Sequence, residues 1–291
     1  MDFRTDLAVE RSAVLGENLP RGIEKSERGN GDARVTEIRV TDEEGEKAIG
    51  KPKGRYITVE IPPFSSDCEL LDGRLDVLIE ELRGLLPGNG AVLVVGLGNR
   101  LLTADALGPA CAEKILVTRH IGQELAESLG FGNLRPVSAL TPGVLGQTGM
   151  EALEVLEGVA EKIQPACLVA IDALAAMDLK RLGTTVQLSD TGISPGSGIG
   201  NKRKEISRGT LGVPVIAVGV PTVINALTIA QNILGEAGQK ADLAGAEPYA
   251  EYIVASREAD LICERAAKLI ALALNCALQP SLSAQEIMLL T

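Results

Sequence analysis

Hydrophobic and polar positions follow three patterns along this chain. Residues 33–40 (ARVTEIRV) and 54–61 (GRYITVEI) alternate apolar and polar side chains. That period of two marks strands with one face in water, here a small N-terminal hairpin region beside a main sheet. Residues 91–97 (AVLVVGL), 167–172 (CLVAID), 184–189 (TTVQLS) and 213–220 (VPVIAVGV) read as further strands, the first two and the last as nearly unbroken apolar runs. Such runs fit parallel strands covered on both faces. The third pattern is helical. It covers 71–86, stopped by Pro87-Gly88, then 107–118 and 149–163. It returns in a tail after Ser256, a candidate N-cap, whose apolar positions 261, 262, 266, 269, 270, 273 and 274 share one face.

Strands that alternate with helices predict an α/β fold. The expected architecture is a mainly parallel central sheet with helices on both faces, joined by right-handed crossovers. Residues 1–32 are polar and end in EKSERGNGD (24–32), a composition that predicts a mobile loop. Residues 33–291 are expected to form a single domain, with a surface linker at 235–248.

Composition narrows the possibilities. The chain is 45% hydrophobic and 23% charged, yet only 2% aromatic with no Trp, so Val, Ile, Leu and Ala must build the core. The net charge of -11 argues against a nucleic-acid partner, which needs clustered Lys and Arg. The dense basic run, NKRKE at 201–205, is too short to reverse this. The 5 cysteines are odd in number and lack C-x-x-C spacing, as expected of reduced thiols in a cytoplasm. The first twenty residues hold no apolar stretch and no window is long and apolar enough to span a bilayer, so neither a signal peptide nor a membrane partner is expected.

One charge interrupts the buried pattern. In CLVAIDALAAM (167–177) every residue is apolar except Asp172. Ligands in open α/β sheets bind beyond the carboxyl ends of the strands. The run 91–97 leads into GLGNRLLTADALGP (96–109), which carries Asp105 just before a predicted helix. Capping a helix N-terminus would account for either Asp alone. If their strands are neighbours, however, the ends lie about 5 Å apart and the two acids share one proton. One could then activate water while the other protonates a leaving group. Which takes which role is open at this level.

Other chemistries fit less well. Gly96-x-Gly98 suggests a dinucleotide loop, but Leu101 stands where the third glycine belongs. His120 is the lone histidine, and no H-E-x-x-H or zinc cysteine pair is present. SDTG (189–192) makes Asp190 a reserve acid. The long Gly- and Ser-rich stretch 189–207 reads as a cleft loop. Its candidates are Ser197, Asn201, Lys202 and Arg203, joined by Gly98 and Asn99 of the earlier loop. A metal-assisted peptidase and a non-catalytic nucleotide or small-molecule binder using Gly96 and Gly98 stand as alternatives.

Several stretches together resemble the germination protease family of spore-forming bacteria. They are RTDLAVE (4–10), AIGKPKGRYITVE (48–60), VVGLGNRLLTADALGP (94–109), RPVSALTPGVLGQTG (135–149), AIDALAA (170–176), SDTGISPGSGIGNKRKEIS (189–207) and GVPVIAVGVPTVINA (212–226). The resemblance implies a fold like that of hydrogenase maturation endopeptidases. It implies an endopeptidase of small acid-soluble spore proteins, homotetrameric, working in the forespore or spore core. The family's two proposed catalytic aspartates match Asp105 and Asp172. The resemblance also implies a zymogen that loses a short N-terminal segment. TDLAVE (5–10) is similar to the site the family cuts in its substrates, which points to self-cleavage between Asp6 and Leu7. That segment reads as polar, free of a buried face and able to extend into a cleft. The hydrogenase enzymes hold metal through two acids and a histidine. No histidine follows position 120 here, so neither a metal nor another cofactor is expected. Residues 231–253 look shorter than the family pattern.

Overall fold

The computed structural model describes residues 5–16, 18–30, 33–66, 69–128, 130–201, 203–237 and 245–291. Its strands are β1 (Ile23–Asn30), β2 (Ala33–Val40), β3 (Gly54–Glu60), β4 (Val92–Gly96), β5 (Val137–Leu140), β6 (Cys167–Ala176), β7 (Thr185–Ser189), β8 (Val215–Asn225) and β9 (Ile253–Ala255). Its helices are α1 (Ala8–Val14), α2 (Glu43–Ile49), α3 (Gly73–Leu85), α4 (Leu107–Ala112), α5 (Gln123–Ser128), α6 (Leu145–Thr148), α7 (Ala152–Ile163), α8 (Arg208–Leu211), α9 (Ala226–Glu236), α10 (Ala259–Leu278) and α11 (Ala284–Leu290).

One sheet runs through the molecule in the order β1-β2-β3-β7-β8-β6-β4-β5, with β9 added beside β8. The strands β5, β4, β6 and β8 are parallel, and the flank from β1 to β7 is antiparallel. The expected α/β class is therefore what the chain adopts, as a mixed sheet. Parallel strands alternate their side chains between two apolar layers. Val92, Val94, Val169 and Ile171 join one cluster with α3, α4 and α10, while Leu93, Val95, Leu168 and Ala170 join another with Leu153 and Leu156 of α7. Burial on both faces explains why these strands read as continuous apolar runs.

Several boundaries differ from the sequence reading. Residues 24–30, read as part of a loop, belong to β1, paired residue by residue with β2. Its polar residues suit an edge strand, where charges block unwanted pairing. The hairpin is thus β1–β2, while β2 and β3 pair across the α2 insertion. The helix expected at 107–118 ends at Ala112, and buried Asn275 of α10 takes over the next turn. Its Oδ1 accepts from the Leu116 N–H and its Nδ2 donates to the Lys114 carbonyl. The tail helix starts at Ala259 with no side-chain cap, and its buried residues extend well beyond one stripe. Among the described residues no helix is long and apolar enough to cross a membrane.

Two glycines bring α4 against the sheet. A Cβ on Gly108 would lie 2.2 Å from the Leu97 carbonyl oxygen and 2.4 Å from that of Ile171, and one on Gly96 would lie 2.2 Å from the Gly108 oxygen. The obstacles are backbone atoms, which cannot rotate away. Gly108→Ala should therefore destabilise the protein by about 1–3 kcal/mol, the usual range for overpacking. Urea denaturation reads this as a lower midpoint at unchanged slope. A midpoint equal to that of the parent would mean that α4 does not pack this closely.

Candidate active site

The site begins where β4 stops. The Leu97 N–H donates to the Ile171 carbonyl (2.8 Å), extending the β4–β6 pairing one residue past Gly96. The chain then turns at Gly98, whose φ of +106° favours glycine. A side chain there would also strike the Asp105 carbonyl oxygen at 2.2 Å. The loop folds back through a short 3-10 turn at Thr103–Asp105. Two groups from other elements clamp this turn. Thr222 Oγ1 on β8 donates to the Ala104 carbonyl (2.6 Å), and Cys263 Sγ on α10 donates to the Thr103 carbonyl (3.1 Å).

Asp105 does not cap α4. That helix starts at Leu107, and Ala106 at its N-cap position supplies no side-chain cap. The Asp105 carboxylate turns back instead and accepts the Asn99 N–H (2.7 Å). Asp172 is not a cap either, and it does not end its strand. β6 continues to Ala176, so Asp172 lies within it, one residue beyond the level of Gly96. It is only 5% exposed, and its carboxylate accepts the Ala173 N–H (2.9 Å). Both acids are shifted upward from the usual carboxylate range. Burial pushes Asp172 well above the usual carboxylate range, and the charges of Asp105 and Asp6 push in the same direction. Burial also raises Asp105, against the opposing Asn99 N–H. Of the two, Asp172 is raised the further, because it is the more deeply buried and also feels the Asp105 charge.

The third carboxylate comes from the N-terminal segment. Thr5 to Leu7 lie along the end of β6, and α1 starts at Ala8. The Asp6 N–H donates to the Ala175 carbonyl (3.0 Å). The Asp6 carboxylate accepts from the Ala175 N–H (2.9 Å) and from Ser197 Oγ (2.7 Å). Gly198 lies so close that a Cβ there would stand 2.2 Å from Asp6 Oδ2. The Asp6 carbonyl is held separately, by Lys51 Nζ (2.7 Å) and Gln187 Nε2 (3.0 Å). Gln187 Oε1 in turn accepts the Ala8 N–H (2.7 Å). Four residues on, the Glu10 carboxylate accepts the N–H groups of Met177 and Asp178 (2.8 Å each) and the Thr5 hydroxyl, with Arg181 at 3.8 Å.

This corrects the reading of residues 5–10 as a polar stretch without a buried face. Leu7 and Ala8 are fully buried, and Leu7 and Val9 pack with Leu174 and Ala176 of β6. Thr5–Leu7 lie outside regular structure, with Leu7 extended, and Ala8–Glu10 are helical. The sequence pattern was misleading because the polar residues point inward too, onto backbone donors.

The remaining candidates separate clearly. Gly98 and Asn99 shape the Asp105 loop, with Asn99 Oδ1 accepting from Gln147 Nε2 (2.8 Å). Ser197 reaches Asp6, whereas Asn201 is exposed and Arg203 lies 3.9 Å from Glu151. Lys202 lies outside the described residues. Asp190 is not part of the acid group. β7 runs antiparallel to β8, so its end points away from the Asp172 level, and Asp190 accepts the Arg55 N–H (2.8 Å) there. The 189–207 loop lines a cavity of about 460 Å³ together with Thr5, Asp6, Lys51 and Gln187. Among the described residues no three His, Cys, Asp or Glu side chains stand together to hold a metal ion. Sequence reasoning passed over Lys51, Gln187 and Thr222. Lys51 lay inside a stretch quoted for its family likeness, with nothing local to distinguish it.

The sequence profile described as Germination protease matches residues 5–236. The germination protease of Caldanaerobacter subterraneus is 41% identical over 98% of this chain and 97% of its own length. That of Clostridium tetani is 40% identical over 99% of this chain and 98% of its own. Both alignments span more positions than this chain has residues, so these relatives carry stretches absent here. Among solved structures, a [NiFe] hydrogenase maturation protease, HycI from Thermococcus kodakarensis KOD1, overlaps 67% of this chain and 98% of its own at 17% identity, with a TM-score of 0.37.

The buried acid has a consequence for stability. An unfolded Asp ionises near pH ~3.9, whereas Asp172 in the fold holds its proton well above that. The folded state thus binds the extra proton. This contribution is fully present below the unfolded pKa and is lost as pH rises through the folded one. Asp172→Asn removes that loss. The variant should melt at or above the parent at neutral pH, with the margin shrinking toward about pH 4. Calorimetric melting across that range tests it. A variant that melts lower by the same margin throughout would show that Asp172 stabilises the fold.

Proposed function

The chain belongs to the germination protease family, and we propose that it is an endopeptidase that uses Asp105 and Asp172 as an aspartic-type pair. The reading rests on one observation above all. The chain's own TDLAVE segment occupies the groove beside Asp172, with both of its acids held by built donors. The groove accepts an acid, then an apolar residue, then a small one, and four positions after the first acid a second acid. Small acid-soluble spore proteins are the substrates proposed by family likeness, in a homotetramer working in the spore core.

In the proposed mechanism Asp105 is the base and Asp172 the acid. A water oxygen adds to the carbonyl carbon of the residue before the cut and gives its proton to Asp105. The C–N bond then breaks as Asp172 passes its proton to the leaving nitrogen. The products are a carboxylic acid and an amine, and the proton on Asp105 restores the shared state. The direction of the Asp172 shift supports this assignment of roles.

The same groove supports self-processing between Asp6 and Leu7. Leu7 fills the apolar pocket on the leaving side, formed by Leu174 and Ala176. The purified protein should lose residues 1–6 on mildly acidic incubation, read by intact-mass spectrometry. Asp105→Asn and Asp172→Asn should each slow that loss and the cleavage of spore-protein extract by about 10²–10⁴-fold, the usual worth of general acid–base assistance. Trimming of the Asp172→Asn protein at the same bond and rate would sink the assignment.

A further inference from the structure

Two side-chain donors from separate elements converge on a single carbonyl. Lys51 follows the left-handed Gly50 cap of α2, and Gln187 stands on β7. Both donate to the Asp6 oxygen, at 2.7 and 3.0 Å. These are the distances at which preorganised donors stabilise a developing oxyanion. We propose that Lys51 and Gln187 form the electrophilic cradle of the peptidase, holding the carbonyl oxygen of the scissile bond as it becomes negative. The assignment rests on the reading that the bond after Asp6 is cut.

A simple tether for the segment would not need this arrangement. Asp6 is already fixed by its own N–H and by its carboxylate. An ammonium is an expensive partner for a neutral amide oxygen in a closed setting. Burial lowers the Lys51 pKa to about 8, with the Asp6 charge opposing that and Arg11 adding to it. Lys51 lies over the Tyr56 ring, 5.8 Å from its centre, and lines the same cavity as Glu205. Below pH ~8 it therefore remains a cation, with its charge aimed at the oxygen. When water adds to the carbonyl carbon, the C=O electron pair moves onto that oxygen, where the two donors meet it. When the C–N bond breaks, the pair returns and no proton needs to leave Lys51.

Self-processing of the full chain tests the proposal, with the rate of loss of residues 1–6 followed by intact mass. Lys51→Met keeps the stem and removes the charge. Gln187→Glu keeps the acceptor for the Ala8 N–H and removes the donor. Each should slow processing by about 10²–10³-fold, the loss typical of one oxyanion donor. Lys51→Arg should recover part of the rate. A second readout separates chemistry from docking, namely hydrogen exchange of the amides of residues 5–9. Those amides should stay protected in both variants. Parent-like processing in both variants overturns the proposal while leaving the Asp6–Leu7 reading intact. Loss of protection in step with loss of processing overturns it as well, reducing both residues to tethers. A parent that never cuts this bond removes the underlying reading, and the cradle with it.

Discussion

The site depends on the cost of crowding carboxyl groups at a buried strand. Asp172 sits inside β6, between two apolar layers, and the charges of Asp105 and Asp6 both act on it. Burial alone raises the pKa of the group, and the two neighbouring acids raise it further. A neutral carboxylic acid beside an ionised one is a proton donor paired with a proton acceptor. In the proposed mechanism, proximity and dryness separate the roles of the two acids.

Proximity follows from parallel pairing. β4 and β6 are adjacent and in register, so the turn after Gly96 must rise beside the continuing β6. Gly108 lets α4 sit directly on the two carbonyls where the strands meet, and Gly98 lets the loop pass over Asp105. Thr222 and Cys263 then fix the turn from the far strand and from the long helix. Thr222 can do so because β8 bulges there, with Pro221 and Val223 pairing while Thr222 is skipped. An irregular strand thus supplies a regular site.

Much of this was legible in the sequence. The apolar runs located β4, β6 and β8, and the lone Asp in each critical stretch marked the pair. The extent of β6 was not legible, because Ala173 to Ala176 look alike whether they continue a strand or open a helix. Nor was the antiparallel direction of β7, which moves Asp190 away from the acids. Direction is set by chain connections, and no local pattern records it. Lys51 and Gln187 were invisible for a similar reason. Each is an ordinary polar residue whose meaning arises only where three distant segments meet.

The N-terminal segment illustrates how strongly the cleft holds its own chain. Tethering makes the binding intramolecular, so its local concentration far exceeds that of any free protein. If the bond after Asp6 is cut, the two halves of the groove fare differently. Residues 1–6 become a short peptide held by the Thr5 hydroxyl on Glu10, by the acid pocket of Ser197 and Ala175, and by the donors on its terminal carboxylate. Leu7 to Glu10 stay attached to α1, buried and clasped by Met177 and Asp178. One side of the groove would then empty while the other kept its occupant. A substrate reading both acids would have to displace that remaining turn, and the work of doing so would fall on the contacts of its own apolar and acidic residues.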